Sequence, residues 1–183
     1  MSEKYKIRDQ ERLHFITFAV IGWIEVFTKH VYRDAFLESI RYCQQNKGLL
    51  IYGWCIMSNH IHMIIGRNGS YDVQDIVRDF KKYSSVTICR LIENSGDSRK
   101  DWMLGVFSKA ADSSNKHRKY KFWQNQYHPI ELNTNEMMEQ KLDYIHQNPV
   151  KAGIVEKEEE YVYSSARDYH GTGEGLLNIE FME

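Results

Sequence analysis

Residues 49–66 read LLIYGWCIMSNHIHMIIG, and they set the architecture of the chain. Residues 49–57 form a nearly continuous apolar run, the pattern of a buried central strand. Ser58-Asn59 supplies a short turn. Residues 60–66 resume as a strand, so the two segments are expected to pair as a β-hairpin.

Upstream, residues 13–23 (LHFITFAVIGW) are rich in β-branched and aromatic residues and predict another strand. Between them, residues 32–46 place Phe36, Leu37, Ile40 and Cys43 at helical spacing, and Gly48 supplies the stop. Downstream, residues 73–94 predict a long helix with the stripe Val73, Ile76, Val77, Phe80, Ile88, Leu91 and Ile92. Residues 95–121 read as irregular, with a short helix at 102–106. Residues 122–132 read as partly extended, with a bend at His128-Pro129. A last helix starts near Asn133 or Thr134, where Asn133 and Glu136 resemble a capping box. It is expected to stop at Gln147, because Pro149 disfavours helical geometry at Asn148. A tail follows from about residue 156, acidic and then Gly-rich. This order predicts one α+β domain over residues 1–183. It would be a ferredoxin-like sandwich, an antiparallel sheet with helices on one face.

Composition narrows the class. The 183 residues are 42% hydrophobic and 27% charged, which suits a globular chain rather than a disordered one. A net charge of −1 argues against an evenly basic nucleic-acid binder. No window is apolar enough to span a membrane, and the N-terminus lacks the order of a secretory signal. Cys43, Cys55 and Cys89 are scattered, which fits reduced thiols in a cytoplasmic protein and no structural zinc site of the usual spacing.

The chemistry concentrates in two short motifs. In His60-Ile61-His62 the two imidazoles share one face of a strand, which is half of a metal site. Two histidines satisfied by the core or by solvent would give the same pattern. In the last helix, Met138, Leu142 and Ile145 form the buried stripe, while Lys141, Tyr144 and Asn148 share another face. That grouping suits either a converging site or a plain Asn-Pro helix stop. Taken together, two imidazoles and an amide oxygen can hold a divalent cation with open positions. A tyrosine hydroxyl, with a pKa near 10, is a poor nucleophile at neutral pH. A metal that polarises a phosphodiester would let Tyr144 attack it.

Met57-Ser58-Asn59-His60-Ile61-His62 resembles the His-hydrophobe-His block of the single-tyrosine transposases of insertion sequences, with Ser58 in place of the usual Pro. Residues 144–155 (YIHQNPVKAGIV) resemble the tyrosine-helix block of the REP-associated branch of that family. Residues 122–124 (FWQ), residues 163–166 (YSSA) and Tyr169 are also similar to it. The resemblance runs from about residue 10 to about residue 170. It implies a single-strand DNA endonuclease and ligase acting beside a hairpin. His60, His62 and Asn148 would ligate Mg²⁺ or Mn²⁺, with Gln147 a neighbouring alternative to Asn148. Tyr144 would form a 5′-phosphotyrosine. The partner would be single-stranded or hairpin DNA, and the protein would act as a monomer or a homodimer.

Candidate phosphate contacts are Arg78, Lys81 and Lys82 on the long helix. Residues 109–121 add Lys109, Lys116, Arg118, Lys119 and Lys121 against one Asp, and Arg99 and Lys100 extend the patch. Trp123, Tyr127 and His128 are candidates for stacking on bases, with core packing the other reading for Trp123. A hairpin-binding protein without catalysis and a water-using metal hydrolase are the competing functions.

Overall fold

Strand β1 (Leu13–Ala19), helix α1 (His30–Lys47) and the hairpin of β2 (Leu49–Ile56) and β3 (His60–Arg67) follow the predicted order. After them come α2 (Val73–Glu93), α3 (Lys100–Asp112), β4 (Ile130–Leu132), α4 (Asn135–Lys151) and α5 (Ala166–Tyr169). The computed structural model describes residues 7, 9–113, 119–125, 127 and 129–181. The strands form one antiparallel sheet in the order β2-β3-β1-β4, the α+β, ferredoxin-like arrangement. No helix among the described residues is long and apolar enough to cross a membrane.

The register of β1 on β3 sets Thr17 opposite His62 and Ala19 opposite His60. Alternation then assigns Phe15, Thr17, Ala19, His60, His62 and Ile64 to one face of the sheet. Ile16, Phe18, Ile61, Met63 and Ile65 take the other, and all five are buried. On that second face Phe18 packs against Phe36 of α1, Phe80 of α2 and Trp123, at 5.8, 5.6 and 5.2 Å between ring centres. Helix α4 crosses the first face. The helices therefore divide between the two faces instead of sharing one. The sequence reading could not assign them, because an amphipathic stripe does not say which side of a sheet it meets.

Other elements also differ from the sequence reading. β1 ends at Ala19, and the chain turns sharply through Ile21–Trp23. Within the segment read as irregular, α3 buries Met103, Phe107 and Ala111, a stripe at i, i+4, i+8 that Gly105 obscures. Helix α4 runs through Pro149 to Lys151. A proline in the last turn forfeits only one hydrogen bond, and the chain closes with Ala152 N–H donating to Asn148 O at 3.0 Å. Its N-terminus is capped by Thr134, whose Oγ1 accepts from Met137 N–H at 3.2 Å, and not by Asn133. Cys43, Cys55 and Cys89 are buried and form no disulfide.

Gly48 carries the α1–β2 junction at φ 67°, and its carbonyl accepts from Asn68 N–H at 2.7 Å. A Cβ there would lie 1.7 Å from Asn68 O. Gly48→Ala thus adds a backbone clash to the left-handed cost of about 1–2 kcal/mol. A loss of at least about 2 kcal/mol is expected, roughly 4–8 °C in a thermal melt.

Candidate active site

The two histidines of β3 stand side by side, with ring centres 4.7 Å apart. His62 is buried. Its Nδ1 lies 2.7 Å from Thr17 Oγ1 across the strand pair, while its Nε2 has no partner among the described residues. Phe15 stacks on the same ring at 5.5 Å and 19°. His60 Nδ1 lies 2.7 Å from Asn59 Oδ1, which can only accept, so Nδ1 carries the proton and the lone pair is on Nε2. Burial pushes the His62 pKa down to about 3, helped by the charges of His60 and Lys141, and burial also lowers that of His60. Both rings are neutral at neutral pH, the form in which imidazole binds metal.

Helix α4 brings the other half of the site. Gly53 sits where β2 slips register by one residue, and a Cβ there would lie 2.7 Å from Leu142 Cδ1. Its bare backbone lets Leu142 and Ile145 seat α4 close to the sheet. Tyr144, 42% exposed, then meets the edge of His62 at 5.1 Å and of Phe15 at 6.0 Å. Lys141 Nζ lies over both the Phe15 and Tyr144 rings, 5.0 and 5.7 Å from their centres. Asn148 Nδ2 donates to Tyr144 O at 2.6 Å, one turn away on the same helix face. Gln147 is engaged elsewhere, its Nε2 hydrogen-bonded to Glu158 on the acidic turn Glu158–Glu160. Among the described residues no group of three His, Cys, Asp or Glu side chains comes together.

Behind Tyr144, buried His146 hydrogen-bonds through Nε2 to Ser165 Oγ at 2.9 Å, and Ser165 Oγ accepts from Trp54 N–H at 3.0 Å. This ties α4 to β2. Burial pushes the His146 pKa down to about 4. The unfolded chain binds that proton near pH 6.5, so this contribution to stability is complete above 6.5 and is lost as pH falls towards 4. The size is roughly 3 kcal/mol. Chemical denaturation of the wild type across that interval should show this acid loss, and His146→Gln should flatten it.

Residues 12–148 match the family described as "Transposase IS200 like". The chain belongs to the IS200-like transposase family. The fold of this IS200-like transposase is similar to that of a REP-associated tyrosine transposase solved bound to a REP hairpin. The two are 18% identical with a TM-score of 0.61, over 100% of this chain and 94% of that one. A putative transposase from Deinococcus radiodurans is 16% identical with a TM-score of 0.43, over 78% of this chain and 95% of that one. No curated protein matches the sequence.

The candidate DNA contacts of this transposase scatter in environment. Arg78 is exposed and paired with Asp75 at 2.5 Å and Asp79 at 3.1 Å. Lys119 pairs with Glu93. Lys81 is half-buried over the rings of Phe18 and Tyr127, at 5.6 and 5.4 Å, and burial lowers its pKa to about 8. Lys82 and Lys109 are exposed, and Lys121 and Tyr127 half-buried. Trp123 is buried against Phe27 and donates from Nε1 to Ser84 Oγ at 3.2 Å, so it packs the core and offers no face to a base. Lys116, Arg118 and His128 lie outside the described residues. The sequence reading missed Thr17, Asn59 and His146. They act through partners 45, 1 and 19 residues away, and only the Asn59–His60 neighbourhood was open to inspection.

Proposed function

We propose that this protein cuts and rejoins single-stranded DNA beside a hairpin through a covalent tyrosine intermediate. The observation that carries this reading is the His62 ring, whose buried Nε2 has no partner among the described residues, set 5.1 Å from the exposed Tyr144 ring. An orphaned buried nitrogen is costly, and a cation that takes its lone pair removes the cost. The donor set fits Mg²⁺ or Mn²⁺ held by His60 Nε2, His62 Nε2 and Asn148 Oδ1. The engagement of Gln147 by Glu158 favours Asn148 as the third donor. A bound ion would polarise the scissile phosphodiester and offset the charge that builds on phosphorus.

Tyr144 Oη attacks the phosphorus. The new O–P bond leaves a 5′-phosphotyrosine, and the bond to the 3′ oxygen breaks. The phenol proton passes to water, and the departing 3′ oxygen takes a proton from water as a hydroxyl. The Lys141 Nζ, 5.7 Å from the centre of the Tyr144 ring, would offset the negative charge of a phosphate attacked there. Rejoining reverses the step with a 3′-hydroxyl as nucleophile. The phosphotyrosine retains the energy of the broken phosphodiester, so no ATP is needed.

Family membership and the fold shared with a hairpin-bound relative support a DNA substrate. The likeness of residues 144–155 to the REP-associated branch supports a hairpin. Arg78 and Lys119 remain available to phosphates, since an exposed ion pair is worth at most about 1 kcal/mol. Incubation with single-stranded hairpin oligonucleotides and Mn²⁺, followed by peptide mass mapping, should find DNA on Tyr144. Cleaved DNA with no adduct would favour water as the nucleophile and overturn the reading.

A further inference from the structure

We propose that Trp23 is a stacking platform for an unpaired nucleobase flanking the scissile phosphate. This deepens the single-strand cleavage reading above and rests on it.

Trp23 stands in a turn where a bulky side chain is out of place. Its φ is 57°, and among the described residues no other non-glycine has a positive φ. Such a backbone is an outlier for a large aromatic, and it persists only where the surroundings fix it. They do so here. Trp23 N–H donates to Val20 O at 3.1 Å, and Trp23 O accepts from Asn59 Nδ2 at 3.2 Å. Ile21 N–H donates to Phe122 O at 2.8 Å, just before it.

The indole itself takes no part in the core. It is 57% exposed, whereas Trp54 and Trp123 are buried. Its ring neighbour is His60, met edge-on at 6.0 Å. Asn59 links the two: one end of its amide holds the Trp23 carbonyl and the other holds His60 Nδ1. The backbone that carries the exposed indole is thereby tied to a candidate metal ligand. Asparagine or glycine would suit the backbone better, so fold stability does not account for a tryptophan. A flat apolar ring beside the site of phosphate chemistry suits a base whose own partner strand is absent. Every base has a π-face, so the contact would be tolerant of sequence. The reachable base is one adjoining the phosphate held at His60 and His62.

The test measures binding without metal, so that chemistry does not intervene. A fluorescein-labelled single-stranded oligonucleotide of mixed sequence is titrated by anisotropy against wild type, Trp23→Asn and Trp23→Phe. Asparagine accepts the left-handed backbone. Trp23→Asn should bind about 5- to 150-fold more weakly. Trp23→Phe, which keeps a stacking ring, should stay within a few-fold of wild type. The melting temperature of Trp23→Asn should not fall. Unchanged affinity in Trp23→Asn, equal losses in both variants, or a melting temperature that drops with affinity would each overturn the proposal. If wild type forms the Tyr144 adduct while Trp23→Asn binds normally, only the role of Trp23 fails. If wild type binds no single strand, the cleavage reading fails with it.

Discussion

Tyr144→Phe should reduce the covalent protein–DNA adduct to background while DNA affinity stays within a few-fold of wild type. The substitution removes one oxygen and little else. The ring keeps its edge contacts with His62 and Phe15, at 5.1 and 6.0 Å. The seat of α4 over Gly53 and the His146–Ser165 tie do not involve the hydroxyl. Tyr144 is 42% exposed, so its loss costs little core packing and the melting temperature should hold. What disappears is the atom that would join phosphorus, and phenylalanine offers no substitute. The readout is a labelled hairpin oligonucleotide that migrates with the denatured protein in the presence of Mn²⁺. An adduct that survives Tyr144→Phe would place the nucleophile elsewhere.

The legible parts of this chain were those encoded by neighbours in sequence. The β2–β3 hairpin shows in an apolar run, a two-residue turn and a second run. His60 and His62 share a face because a strand has a period of two, and Tyr144 and Asn148 because a helix repeats near 3.6. What stayed hidden depends on partners brought from afar. Thr17 orients His62 across 45 residues, and nothing in LHFITFA marks that threonine from any other in a strand. The pairing of Arg78 with Asp75 and Asp79, and of Lys119 with Glu93, cannot be seen in a count of charges. Helix α4 continues past Asn148 because tertiary contacts outweigh the local preference of a residue before proline. The sign of φ at Trp23 is likewise fixed by Val20 and Asn59, not by its own propensity.

His62→Ala should take both Mn²⁺ binding and adduct formation to background, and Thr17→Val should weaken them in a graded way. His62 contributes the buried nitrogen that lacks a partner among the described residues, and alanine leaves His60 as the one imidazole of the pair. Thr17→Val is close to isosteric and suits β1, yet it deletes the hydroxyl 2.7 Å from His62 Nδ1. The ring then loses the side-chain contact that holds its orientation. Loss of such a supporting hydrogen bond typically lowers metal affinity by about 10–100-fold. It also strands a buried polar atom, at a cost of about 1–3 kcal/mol in stability. The two variants separate by titration with Mn²⁺. Adduct yield in Thr17→Val should recover as Mn²⁺ is raised, because the donor atom is still present and only its orientation is less constrained. His62→Ala should not recover at any concentration. Unaltered Mn²⁺ affinity in Thr17→Val would mean that the Phe15 stack alone orients the ring. Mn²⁺ binding that persists in His62→Ala would mean that the ion is held by other residues.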